Sequence, residues 1–168
     1  MTQIIPSIFV SSKEDFLTQS TAVTGAVDTI QLDIADGTFV DATTWADPAV
    51  VKTMSEELKV ELHLMCNDAA AEMLRWREVP QVRRVLFPYE GASDIEDCIN
   101  LAMDNGWMPS LVLNPDTAID VIAPYADHLF GVMLMGVYPG AQGQSYIRET
   151  TKRLGKIHEK FPHLFLEL

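Results

Sequence analysis

Basic residues are scarce in this chain: twelve Lys and Arg stand against twenty-four Asp and Glu, a net charge of −12. An acidic surface repels phosphate backbones, which excludes nucleic acid as a natural partner. A small phosphorylated ligand would need a local device, either backbone N–H groups at a helix start or a bound cation. Cysteine is nearly absent. Cys66 and Cys98 stand far apart, outside any CxxC pattern, and read as free buried thiols in a reducing compartment rather than a disulfide. Long apolar runs are lacking too. Nowhere do 18 apolar residues follow one another, so no membrane-spanning helix is expected. The start, "MTQIIPSIFV", has no positive region and too short an apolar run for a signal peptide. Cytoplasmic residence is the expectation. Repeats, low-complexity tracts and Ser/Gly linkers are also missing, and 168 residues suit one domain spanning 1–168. A domain of that size buries about 68–70% of its unfolded surface and folds without staples.

What is present is alternation. Short apolar runs recur as "IIPSIFV", "VDTIQLDI", "LKVELHLM", "VRRVLF", "PSLVLN", "LFGVMLM" and "HLFLEL", with helically spaced segments between them. In "SDIEDCINLAM", Ile95, Cys98, Ile99, Ala102 and Met103 fall on one helical face. Ser93 with Glu96 forms a capping box before it, and Asn105-Gly106 ends it. Ser12 with Asp15 starts the first helix, Asn67 caps the third, and Asn114-Pro115 opens the fifth. Seven strands and six helices in alternation imply right-handed βαβ units and a parallel sheet. Length alone favours an open sheet, because a closed barrel usually needs about 250 residues. Side-chain direction favours the barrel. Ile30, Leu32 and Ile34 oppose Gln31, Asp33 and Ala35, and Val60, Leu62 and Leu64 oppose Glu61, His63 and Met65. A doubly wound sheet would want both faces apolar. A barrel interior turning polar at the C-terminal rim fits the mixed face.

Several segments resemble the pentulose-5-phosphate (ribulose-phosphate) 3-epimerases. They are "PSI" at 6–8, "LDIADGTFV" at 32–40, "LHLM" at 62–65, "LVLNPDT" at 111–117 and "LMGVYPGAQGQSY" at 134–146. The resemblance implies a (β/α)8 TIM barrel of the ribulose-phosphate-binding type, covered here through strand seven. It implies an isomerase that interconverts D-ribulose 5-phosphate and D-xylulose 5-phosphate by proton abstraction at carbon 3. Two carboxylates serve the two faces of that carbon, and a divalent metal (Zn, Fe or Mn) holds the enediolate between them. Carried over residue by residue, Asp33 matches the catalytic base and a metal ligand, and His63 matches a second ligand beside the substrate. Ser7, Met65 and Met135 match substrate-binding positions. Gly140, Ala141, Gln142 and Gly143 take the place of the phosphate-side loop.

The departures are specific. Where the family has a histidine ligand on its second strand, Gln31 stands here, and the methionine of that strand is Ala35. Thr38 and Ala42 replace a loop His and Asn, and Gln142 replaces a loop glycine. "HLFLEL" resembles the seventh strand of the family, which continues EVDGG. Glu167 and Leu168 match its Glu and Val, and the next position would hold the second catalytic Asp. The expectations are a barrel incomplete at its C-terminal side, a homo-oligomer or further residues covering its open edge, and weak metal binding or none. The alternative function is a catalytically silent homologue that binds a sugar phosphate or serves as an assembly subunit.

Read without the resemblance, His63 is a hydrogen-bonded core histidine, Asp33 a buried carboxylate, and Met65 and Met135 core filler. Asp36-Gly37 reads as turn chemistry. Arg83 and Arg84 read as a solvated strand edge, with a phosphate role as the alternative. On the seventh strand that the resemblance implies, Glu167 lies too deep in the barrel to reach a substrate unless the strand shifts.

Overall fold

The computed structural model describes residues 2–92 and 94–168. Seven strands form one parallel sheet in chain order: β1 (Ser7–Ile8), β2 (Thr29–Ala35), β3 (Lys59–Met65), β4 (Val82–Pro88), β5 (Met108–Leu113), β6 (Gly131–Leu134) and β7 (Phe165–Glu167). The helices α1 (Lys13–Val23), α2 (Pro48–Val51), α3 (Ala69–Trp76), α4 (Ile95–Asp104) and α5 (Glu149–Lys160) alternate with them.

The sheet is curled, and the side chains prove it. Adjacent strands lie about 4.8 Å apart, so in a flat sheet β4 and β7 would be separated by roughly 14 Å. Instead the Arg84 guanidinium of β4 reaches the Glu167 carboxylate of β7 at 3.1 Å. The architecture is a partial (β/α)8 barrel. The polar alternation outweighed the length argument for an open sheet.

The outward face of the sheet and the inner faces of the helices make the main core. Ile30, Leu32, Val60, Leu62 and Val85 from the strands pack with Phe16, Met73, Trp76 and Ile99 from the helices. A second, smaller apolar cluster inside the barrel joins Leu86, Val112 and Met133. Gly131 is required where β6 meets β7: a Cβ there would lie 2.6 Å from the Phe165 carbonyl oxygen.

Helix starts follow local chemistry. Ser12 caps α1 by accepting from the Asp15 N–H at 3.1 Å, and α4 ends at Asn105 followed by Gly106 at φ 71°. Ser93 lies outside the described residues, and Asp94 accepts the N–H of Asp97 at the start of α4. The cap of α3 is Asp68 rather than Asn67. Asn67 is engaged elsewhere, its backbone and side-chain nitrogens both donating to Thr38.

The fifth crossover differs from the expected α-helix. It consists of two 3₁₀ turns, Ile119–Ile122 and Ala126–His128. The carbonyls of Asn114, Pro115 and Thr117, which would accept helical N–H groups, accept from the Arg153 guanidinium. Pro124 then separates the two turns, because it has no N–H to continue a helix.

Candidate active site

Strand register sets the site. Asp33 of β2 stands beside His63 of β3, and Ser7 of β1 beside Gln31 of β2. Period-2 alternation turns Ser7, Gln31, Asp33, Ala35, His63 and Met65 toward the interior, at the strands' C-terminal ends. There, all but Ala35 line a cavity of about 390 Å³.

The loop after β6 forms the opposite wall. Gly140 adopts φ 106°, a left-handed conformation that L side chains rarely take. It lies against Val40 of the loop after β2, leaving only 3.1 Å between a would-be Cβ and the Val40 Cβ. Gln144 braces the same loop by donating to the carbonyls of Tyr138 and Ala141.

Asp33 is the only carboxylate-bearing side chain among the described residues that line the cavity. Its Oδ2 accepts from the Ser7 hydroxyl at 2.5 Å. Its Oδ1 accepts from the Gln31 amide at 2.7 Å and faces His63 Nδ1 at 2.9 Å. Because Asp33 is an acceptor, Nδ1 of His63 is assigned the proton. Burial alone would push the Asp33 carboxyl up, but the hydrogen bond and charge of His63, with Ser7 and Gln31, hold it below the ordinary aspartate range. Asp33 is therefore ionised at neutral pH.

Every residue that the sequence singled out as a candidate falls in this one cavity. Ser7, Gln31, Asp33, His63, Met65, Met135, Gly140, Ala141, Gln142 and Gly143 all line it. So do others that sequence reasoning did not single out, among them Phe9, Met133, Tyr138 and Tyr146. Phe9 and Met133 were within reach of the period-2 rule, since each stands two residues from a singled-out position. The two tyrosines sit in an irregular loop that carries no periodic signal.

Asp36 and Gly37 make a turn. The Asp36 carboxylate accepts both the N–H and the hydroxyl of Thr38, and Gly37 takes φ 83°.

Arg84 corrects the reading of a solvated edge. It is buried beneath the cavity, pairing with Glu61 at 2.8 Å and Glu167 at 3.1 Å. Its guanidinium also lies 4.9 Å and 4.5 Å from the ring centroids of Phe130 and Phe165. Only Arg83 of the pair is exposed. Burial, with the neighbouring Glu167, pushes the Glu61 carboxyl up to about 9, against the opposing pull of Arg84. Glu167 is held by Arg84 and does not line the cavity.

The donor set for a metal is thin. Among the described residues no group of three His, Cys, Asp or Glu is placed to hold an ion. A catalytic zinc normally takes three protein ligands. Asp33 and His63 supply two, and these are already hydrogen-bonded to each other. The described residues do not fit the divalent metal that the resemblance implies.

Comparison with known proteins agrees with the geometry. The profile of the Ribulose-phosphate 3 epimerase family matches residues 3–167. Ribulose-phosphate 3-epimerase of Schizosaccharomyces pombe is 30% identical over 146 residues, covering 84% of this chain and 63% of that protein. The protein of the same name from Methanocaldococcus jannaschii is 30% identical over 137 residues, covering 78% of this chain and 55% of its own length. That of Escherichia coli K12 is 26% identical over 147 residues, covering 83% and 62%. The chain thus spans less than two thirds of the length of these relatives. A partial barrel with its polar residues gathered at the strand ends, matched to one family profile nearly end to end, belongs to the ribulose-phosphate 3-epimerase family.

Proposed function

We propose that this chain acts on a pentulose 5-phosphate, removing and returning the proton at carbon 3 in the interconversion of D-ribulose 5-phosphate and D-xylulose 5-phosphate. The observation that carries this reading is the Asp33 carboxylate. It is ionised, buried at the cavity wall and fixed by three donors. A carboxylate offers about four lone-pair positions. Two on Oδ1 are taken by Gln31 and His63, and one on Oδ2 by Ser7. The remaining position on Oδ2 is the base. In the forward step it takes the carbon-3 proton, and the C–H electron pair moves onto the neighbouring carbonyl to give an enediolate. The donors that keep Asp33 ionised also weaken it as a base, so the step is slow. Met65, Met133 and Met135 give the reacting carbons a soft apolar wall.

No Lys or Arg lines the cavity among the described residues, so the phosphate rests on backbone N–H groups. The amides of Gly140, Ala141, Gln142 and Gly143 have no backbone acceptor among the described residues, which supports that role. Cys66 and Cys98 are free and buried, in keeping with a reducing compartment, the cytoplasm. Strands β1 and β7 each pair on one side only. Open edges of this kind favour a cover, either a second copy of the chain or further residues, and sedimentation of the chain would reveal the first.

Asp33 serves one face of carbon 3. The 168-residue chain is therefore expected to exchange that proton with solvent faster than it inverts the carbon. Incubation with ribulose 5-phosphate in deuterium oxide, followed by NMR for label and for xylulose 5-phosphate, tests this. Inversion as fast as exchange would overturn the single-base reading.

A further inference from the structure

We propose that Gln31 makes this a site closed to divalent metal, in which amide and imidazole N–H groups meet the Asp33 charge that a cation would otherwise meet. The inference rests on the proposed role of Asp33, but its first test does not.

The geometry is a triangle. The Gln31 amide nitrogen lies 2.7 Å from Asp33 Oδ1 and 3.5 Å from His63 Nδ1, and these two atoms are 2.9 Å apart. All three residues are buried, at 6%, 7% and 4% exposure, so water contributes little to the balance. Each contact fixes an orientation. Asp33 Oδ1 is an acceptor, so Gln31 turns its NH₂ toward it and its carbonyl oxygen away. His63 Nδ1 holds a proton for the same reason. A metal bridging Asp33 and His63 would have to displace that proton, expel the Gln31 N–H and turn the amide round. It would gain two good donors and one neutral amide oxygen, a poor ligand for a borderline metal such as zinc. Asp33 Oδ1 satisfies both N–H groups in this buried site, and the exchange is resisted because each of those two hydrogen bonds, once broken, leaves an orphaned polar atom.

The inference also accounts for the ionised state of Asp33. A carboxylate buried among Ser7, Gln31 and His63 has its charge met by three donors without a cation.

The test uses the whole chain and zinc as the probe. After dialysis against chelator-free buffer, elemental analysis of the wild-type chain is expected to find well below one ion per chain, and added zinc should leave its melting temperature unchanged. Gln31→His puts an imidazole where the amide stands. It should tighten zinc binding by at least about 10–100-fold, the scale on which single supporting groups act at metal sites. One tightly held zinc or iron per wild-type chain would overturn the inference, and that measurement needs no variant to fold. Carbon-3 exchange in deuterium oxide, run with and without EDTA, separates the two proposals. Exchange that survives EDTA supports both, whereas exchange that EDTA abolishes overturns the metal-independent reading and leaves Asp33 as base. If exchange is absent throughout, the proposed function falls while the zinc measurements still decide the role of Gln31.

Discussion

At Asp33 and Glu61, two buried carboxylates two strand positions and one strand apart, the same fold pushes acidity in opposite directions. Asp33 is depressed by its three donors. The stability it contributes is present above the ordinary aspartate value and lost as pH falls through the lower folded value. Exchange at carbon 3 needs the ionised form, so its rate should fall only on that same acidic limb. Ser7→Ala removes the donor on Oδ2 and is expected to move the limb to higher pH, read from the pH–rate profile. Glu61 is raised to about 9 by burial and by Glu167. Its favourable contribution is complete below the ordinary glutamate value and is lost as pH rises from there toward 9. Each proton bound more by the folded state tilts stability by about 1.4 kcal/mol per pH unit. Glu61→Gln cannot titrate and should flatten this slope, measured by urea unfolding across the range from mildly acidic to mildly alkaline pH. An unchanged slope would mean that Glu61 is ionised beside Arg84.

Strands were the elements most legible in the sequence, because β2 and β3 alternate strictly between a helix-facing aliphatic side and a polar interior side. The same alternation put Asp33, His63 and Met65 on one interior face without any knowledge of contacts, whereas Ser7, on a two-residue strand, was found only through the resemblance. Arg84 defeated it. A charge beside Arg83 looks like a wet edge unless its partners are known, and Glu167 lies 83 residues away in the chain. The fifth crossover was illegible for a related reason: Arg153, 39 residues beyond Asn114, takes the carbonyls a helix would have used. Long-range partners overrode local propensity in both cases. Where strands meet, the constraint is steric. Gly131→Ala would press a Cβ within 2.6 Å of the Phe165 carbonyl, and backbone cannot step aside cheaply. Overpacking of this kind costs about 1–3 kcal/mol. Urea unfolding should show that loss, while Gly155→Ala, whose Cβ meets nothing within 4 Å, should not destabilise the chain.

Across the whole molecule, a chain of net charge −12 gathers a single side-chain carboxylate at its cavity and leaves the cavity wall without a cationic side chain among the described residues. The anion is left to backbone amides, and the chemistry to one ionised group. Asp33 as the base is the central claim. The direct measurement is the rate of deuterium incorporation at carbon 3 of ribulose 5-phosphate for wild type and Asp33→Asn, with circular dichroism confirming that both fold. Asparagine keeps the shape and accepts no proton, so a fall of about 10²–10⁴-fold is predicted, the usual worth of a positioned general base. Incorporation by a folded Asp33→Asn chain at the wild-type rate would contradict it.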